Sequence, residues 1–345
     1  MTAAAAAMPA VRFGVGRLLG VIVFGGLLLA ASLALGAAFG EQPLSWAAVR
    51  DGVAPDSQIF YNLRLPRVLL AALVGAALAS AGATLQSLTR NPLADPFVLG
   101  VSGGSALGAT LALALGLAAL PSLPGVSAVT VFSFAGGLGA TALVMLLGRL
   151  AGGNASHSTL LAGVVFNAFA LACIVFVKAL VAPDKLGEVL FWLAGSLGHE
   201  EYSTLAGTGL LIGLALAVLW AQAGRLNLLM LGDDDAASLG VPVVAARRVI
   251  LLAASLAVSA AVSLAGLVGF VGLLVPHGAR GVVGPDMRLL LPASALLGAA
   301  FLVLADLAAR LLFGVFQAEP PVGVVTALLG GPVFLLLMAR HARTE

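Results

Sequence analysis

What constrains this chain most is a succession of apolar runs, each about 20 residues long and free of strict polar–apolar alternation. That is the length one helix needs to cross the ~30 Å hydrocarbon core of a bilayer. Membrane barrel strands would be about half as long and would alternate with period two, so they are excluded as the repeating unit. Within lipid every backbone N–H and C=O must find its partner inside the protein, and helices meet that demand locally. Composition leaves no soluble alternative. Of the 345 residues 61% are hydrophobic and 9% charged, whereas a soluble domain carries about a quarter charged residues. The fold class is an all-α polytopic membrane protein, and its 43 glycines suit helices that approach backbone to backbone.

Hydropathy and Gly/Pro breakers place ten spans, at 17–39, 65–87, 96–117, 126–149, 158–181, 203–222, 246–267, 269–284, 289–312 and 321–340. The eighth is short and glycine-rich, and Pro276 is expected to break it into a partly re-entrant segment. The first run follows Arg12 and Arg17, exceeds the length of a signal-peptide core and lacks a clear cleavage site, so it reads as a span. A single domain is expected over 1–345, with 1–16 as a cytoplasmic tail. Cys173 has no second cysteine to pair with and reads as a small core residue.

Loop charges orient the bundle. With the N-terminus inside, the inner segments hold Arg12, Arg17, Arg90, Arg149, Arg225, Arg247, Arg248, Arg280, Arg288, Arg340 and Arg343. The outer loop 182–202 carries Asp184, Glu188, Glu200 and Glu201, which completes a positive-inside pattern with both termini cytoplasmic. Arg64 and Arg67 at the outer start of the second span, and Arg310 at the outer end of the ninth, break that pattern. Arg67-Val-Leu-Leu and Arg248-Val-Ile-Leu open similar apolar runs five crossings apart, the arrangement of inverted transporter repeats. A net charge of +2 indicates no nucleic-acid partner.

The longest inner loop contains Gly232-Asp233-Asp234-Asp235, placed where acids favour the start of a short helix. A second short helix is expected after Pro242, so that 227–246 forms a helix-turn-helix a partner could grip. No phosphate-binding Gly-Lys-Ser/Thr loop exists, because Lys178 and Lys185 follow Val177 and Asp184; any ATP hydrolysis would belong to another polypeptide. Gly100-Val-Ser102-Gly103-Gly104, with His277 in a later span, raises the alternative of an intramembrane serine protease, although such a match is cheap in so glycine-rich a chain. Asp306 and Arg310 are four apart on one helix and can pair, which lowers the cost of charge near the membrane.

Several motifs occur in order from about residue 60 onward: Arg64-Leu-Pro-Arg67, Gly82-x-x-Leu-Gln86, Arg90-Asn-Pro-Leu-Ala-Asp-Pro96, Leu99-Gly-Val-Ser-Gly103, Gly232-Asp-Asp-Asp-Ala-Ala-Ser-Leu-Gly240, Gly269-Phe-Val-Gly-Leu-Leu-Val-Pro-His277-x-x-Arg280, Asp306-x-x-Ala-Arg310 and Pro321-Val-Gly-Val-Val-Thr-Ala-Leu-Leu-Gly-Gly-Pro332. Together they closely resemble the FecCD family, permeases of type II ATP-binding-cassette importers for iron-siderophores, haem and vitamin B12. The resemblance implies ten helices like those of the vitamin B12 importer permease, a homodimer, two cytoplasmic ATPase subunits that use ATP and magnesium, and a periplasmic or lipid-anchored binding protein, all at the cell inner membrane. It also implies that Arg64, Arg67 and Arg310 meet acids of the binding protein. Gly232, Asp233, Asp234, Asp235, Leu239 and Gly240 would fall in the ATPase-coupling helices, and Asn91, Leu93, Ser156 and His157 near the cytoplasmic gate. Two departures stand out: Glu319-Pro-Pro321 where the family usually has Glu-Leu-Pro, and a histidine at 157 where a small polar residue is common. No cofactor and no metal are expected on this chain. Haem or a ferric siderophore is the expected cargo and cobalamin the alternative; a passive channel is a third reading.

Overall fold

A computed structural model of the chain describes residues 13–40, 42–117, 126–150, 155–181 and 183–341, with side chains placed except at 98–99, 149, 155–158, 160, 183–184, 314–316 and 337–341. Ten apolar helices run in sequence: α1 (Val15–Ala38), α2 (Leu65–Leu88), α3 (Val101–Ala114), α4 (Ala128–Leu150), α5 (Ala155–Leu180), α6 (Tyr202–Ala221), α7 (Val243–Ala265), α8 (Val271–Val283), α9 (Met287–Phe316) and α10 (Val322–His341). Seven are long and apolar enough to cross a membrane; α3, α8 and the described part of α10 are shorter apolar helices. The ten predicted spans therefore fall on ten helices, and no strand occurs among the described residues.

Helices α2 and α7 form the centre: 78% and 72% of their apolar windows are buried, against 11% for α1 and 17% for α5. Lipid gives no reward for hiding leucine from it, so the order of packing follows from which backbones can come close. A methyl on Gly75 of α2 would strike the carbonyl of Gly298 in α9, and one on Gly298 would strike Gly75 in return. Gly104 of α3 and Gly136 of α4 have the same reciprocal relation. Both central helices lead through a residue of positive φ into a short helix. Arg90 (φ 52°) and Gly100 (φ 82°) separate α2 from α3, whereas Gly266 (φ 66°) and Phe270 (φ 68°) separate α7 from α8. This is the physical form of the repeat echoed at Arg67 and Arg248.

The eighth helix differs from expectation. It is continuous over 13 residues with Pro276 inside it, and the break lies before it. Proline lacks an N–H, so the carbonyl of Gly272 one turn earlier loses its helical partner. The buried amide of Gln86 on α2 supplies the replacement, Nε2 donating to Leu273 O at 3.1 Å and to Gly272 O at 3.4 Å. Gly82, one turn before Gln86, lets α2 approach closely enough for this, since any methyl there would collide with the Gly272 carbonyl. An external donor thus replaces the missing one, and the helix survives.

Short elements absent from the sequence reading fill the loops. Trp46–Arg50, Asp56–Gln58 and the π-turn Ile59–Arg64 carry the chain into α2. Pro183–Leu193 forms a helix whose Val189, Trp192 and Leu193 pack on Ala109, Leu113 and Val129. The helix expected after Pro242 is not separate: Pro242 caps α7 itself, and the partner of Asp233–Ser238 is Ala223–Leu229 upstream. Cys173 is half-buried on α5, not part of the core. Replacing Gln86 by Leu should orphan the Gly272 carbonyl and lower stability in detergent by about 1–3 kcal/mol. Pro276→Ala in the Gln86→Leu background should restore most of that loss, read as the unfolding midpoint of both variants; failure of the rescue would separate Gln86 from the proline.

Candidate functional site

The three arginines that break the loop-charge pattern converge at one end of the bundle, around a cavity of about 300 Å³ that His199 and Glu319 also line. Asp306 is fully buried at its base. Its Oδ1 accepts from Arg67 Nε at 2.9 Å and Nη2 at 2.8 Å, and its Oδ2 accepts from Arg310 Nε at 3.0 Å. Arg67 Nη2 donates as well to Glu319. Arg64 and Arg310 turn their remaining donors on the end of α1: Ala38 O and Gln42 O accept from Arg64 at 3.0 and 2.8 Å, and Gly36 O and Phe39 O from Arg310 at 3.0 and 3.1 Å. A helix cannot satisfy its own last carbonyls, and cations suit the negative end of its dipole. Three guanidiniums against two carboxylates leave this end with an excess of positive charge.

The pairing of Asp306 with Arg310 was legible in their spacing. The participation of Arg67 and Glu319 was not, because those contacts join residues 239 and 252 positions apart. Nor did the loop charges foretell that Arg64 and Arg310 would each be only 6% exposed. Their charge reaches the surface through the cavity, not through free side chains.

Beside this cavity the loop before α6 carries Glu200, whose carboxyl is raised to about 7, first by burial and then by the neighbouring charge of Glu201. A carboxyl so raised binds its proton more tightly when folded. Its penalty is absent below the unfolded value near 4.5 and grows as pH climbs to about 7, so stability falls over that window.

At the opposite end, Asp233–Ser238 begins after Gly232 (φ 141°) with three acids in its first turn. Ala236 seats it with no exposed surface, and Arg247 of α7 donates to Asp233. Gly240 (φ 85°) then turns the chain into α7. Asp234, Asp235 and Leu239 face outward. The preceding helix is tied to the start of α9: Asn227 Nδ2 donates to Asp286 Oδ1 at 2.7 Å, and the Met287 N–H donates to Asn227 Oδ1 at 2.9 Å. Asn227 had been read only as the start of a loop, and its role has no short-range signature.

Asn91 and Leu93 are exposed on the turn after α2, where Asn91 Oδ1 accepts from the Leu93 N–H at 2.9 Å. Ser156 and His157 lie in the first turn of α5, and their side chains are outside the described residues. Ser102 Oγ is buried and has no hydrogen-bond partner, so it is not paired with His277 as a nucleophile would be. Among the described residues, no group of three or more His, Cys, Asp and Glu is placed to hold a metal.

The chain belongs to the FecCD transport family, which it matches over residues 27–340. It is 45% identical over 290 residues to an uncharacterised ABC transporter permease, YvrB, of Bacillus subtilis, covering 83% of this chain and 80% of that protein. It is 42% identical to the hemin transport system permease HmuU of Yersinia pestis, covering 91% and 94%. It is 41% identical to the cobalamin import permease BtuC of Halobacterium salinarum, covering 85% and 76%. Among solved structures it superposes on a transporter assigned to the metal-chelate type in an inward-facing conformation, with TM-score 0.79, 32% identity, and 93% of this chain and 99% of the other covered.

Asp306→Ala should leave Arg67 and Arg310 buried and facing each other, at a cost of about 3–5 kcal/mol. Denaturation in micelles measures this, and a small loss would mean that α1 does not depend on the cluster. Glu200→Gln should raise the unfolding midpoint at pH 8 and leave it unchanged at pH 4.5, where wild type is already protonated; equal effects at both would remove the titration from Glu200.

Proposed function

We propose that this chain is the membrane permease subunit of an ATP-driven importer that receives a metal chelate from a binding protein at the arginine end and releases it at the Asp233–Ser238 end. The observation that carries this is the pairing of opposite features on one bundle: a cationic cavity where the loops are acidic, and an acidic helix where the loops are basic. Two copies of the chain would enclose the pathway. Two separate ATPase subunits would grip the exposed Asp234, Asp235 and Leu239. The binding protein would present acids to the cavity of Arg64, Arg67 and Arg310. Both termini would be cytoplasmic, by the arginine-rich loops on that side. Asn91, Leu93, Ser156 and His157 are proposed near the inner gate. No cofactor is proposed on this chain; ATP and magnesium are used by the partner.

Haem or a ferric siderophore is the leading cargo, supported by the similarity to the Yersinia hemin permease. Cobalamin is the second reading, supported by the Halobacterium relative. Binding protein and nucleotide would each favour one state of the pathway, so transport is a population shift that rests on differential contacts.

Uptake by proteoliposomes holding the complete importer should require both ATP and the binding protein, and competition between haem and cobalamin identifies the cargo. Uptake without ATP would point to a channel. Asp234→Ala with Asp235→Ala should keep ATP hydrolysis but lower transport per ATP at least several-fold; full coupling would refute that helix. Glu319→Gln removes a negative charge beside Arg67 and should tighten the binding protein, and an unchanged Kd would remove the cavity from docking.

A further inference from the structure

Helix α2 ends in a turn whose geometry asks for glycine. The Asn91 N–H donates to Gln86 O at 3.1 Å and the Arg90 N–H to Ser87 O at 3.3 Å, the pair of bonds that closes a helix through one left-handed residue. That residue is Arg90, with φ 52°. A Cβ makes this conformation costly, whereas glycine adopts it freely, so the backbone gives no reason for an arginine here. The side chain does have a direction. A methyl on Gly232 would stand 3.8 Å from Arg90 Nη1 and 3.5 Å from Asp235 Oδ2. Guanidinium and carboxylate thus flank one point, no farther apart than those two distances laid end to end, yet they form no ion pair. Both residues are exposed, and among the described residues neither side chain has another charged partner. The nearby carboxylate of Asp233 is already engaged by Arg247.

Two elements of different role meet at this unclosed gap. The helix Asp233–Ser238 is joined to the chain through glycines of positive φ on both sides, Gly232 and Gly240. Arg90 directly precedes Asn91 and Leu93 on the turn that leads toward α3. We propose that Arg90 is a positioning residue for coupling: when the ATPase draws on the helix Asp233–Ser238, the Arg90 guanidinium closes on the Asp235 carboxylate and carries that movement into the turn between α2 and α3. The proposal rests on the reading of Asp233–Ser238 as the element that faces the ATPase. An exposed ion pair shifts an equilibrium by up to about fivefold, which suits a contact that is made and broken in each cycle. Backbone strain retained at a residue whose side chain reaches a second element is characteristic of such switch positions.

The test uses the complete importer in proteoliposomes, with ATP consumption and uptake measured together for haem, or for cobalamin if competition selects it. Arg90→Gln should lower transport per ATP about two- to fivefold, and Arg90→Lys should keep most of it. Arg90→Gln combined with Asp235→Asn should lose no more than the weaker of the two single variants, because removing either partner already breaks the link. Arg90→Gly separates this role from a structural one. It relieves the left-handed backbone, so its unfolding midpoint in micelles should be unchanged or higher while transport per ATP still falls. Losses that multiply in the double variant, a lysine no better than glutamine, or a midpoint that falls in Arg90→Gly would each overturn the proposal. Wild-type uptake without ATP would remove the reading on which the link rests; ATP-dependent uptake with multiplying losses would remove the link alone.

Discussion

A carboxylate with no exposed surface organises the arginine end of this bundle. Asp306 could not remain charged there alone, because burying an isolated ion costs far more than a fold of this size can spare. It is tolerable because two guanidiniums close on it from α2 and from its own helix, and because those same guanidiniums have other work. Arg310, joined by Arg64, finishes the open carbonyls of α1, while Arg67 reaches across to Glu319 ahead of α10. One buried anion therefore fixes the relative heights of four helices that lipid alone would leave free to slide.

The same economy operates in the interior. A bilayer rewards neither burial of leucine nor exposure of backbone, so contacts are decided by missing side chains and by displaced hydrogen bonds. Gly75 with Gly298 sets the distance between α2 and α9, and Gly82 with Gly272 the distance between α2 and α8. Pro276 should have unravelled α8; Gln86 prevents that from the neighbouring helix. A polar residue at the centre of a membrane bundle here serves as a prosthetic backbone donor.

The number of helices and their approximate limits were legible in the sequence, since hydropathy over about 20 residues is a local property. So were the three exceptional arginines and the acidic start of Asp233–Ser238, because each violates a local charge bias. What joins these residues was not legible. Arg67 and Glu319, or Asn227 and Asp286, meet only after the bundle forms, and no periodicity links them. The break before α8 was misplaced for a related reason: proline is the stronger local signal, but the amide that satisfies the freed Gly272 carbonyl is 186 residues from Gly272. The helix Pro183–Leu193 did carry a signal, Leu186, Val189, Leu190 and Leu193 at helical spacing, which the acids of the loop obscured.

The attachment of α1 has an implication for biogenesis. Arg64 reaches the carbonyls of Ala38 and Gln42, but those of Gly36 and Phe39 wait for Arg310, 271 residues later than Phe39. A chain emerging from the ribosome inserts its first helix long before the ninth exists, so α1 must wait in the membrane with only Arg64 to hold its end. The arginine end of the protein can lock only when nine of the ten helices have arrived. The order of synthesis and the order of assembly are thus opposed, and the first segment made is among the last to be fastened.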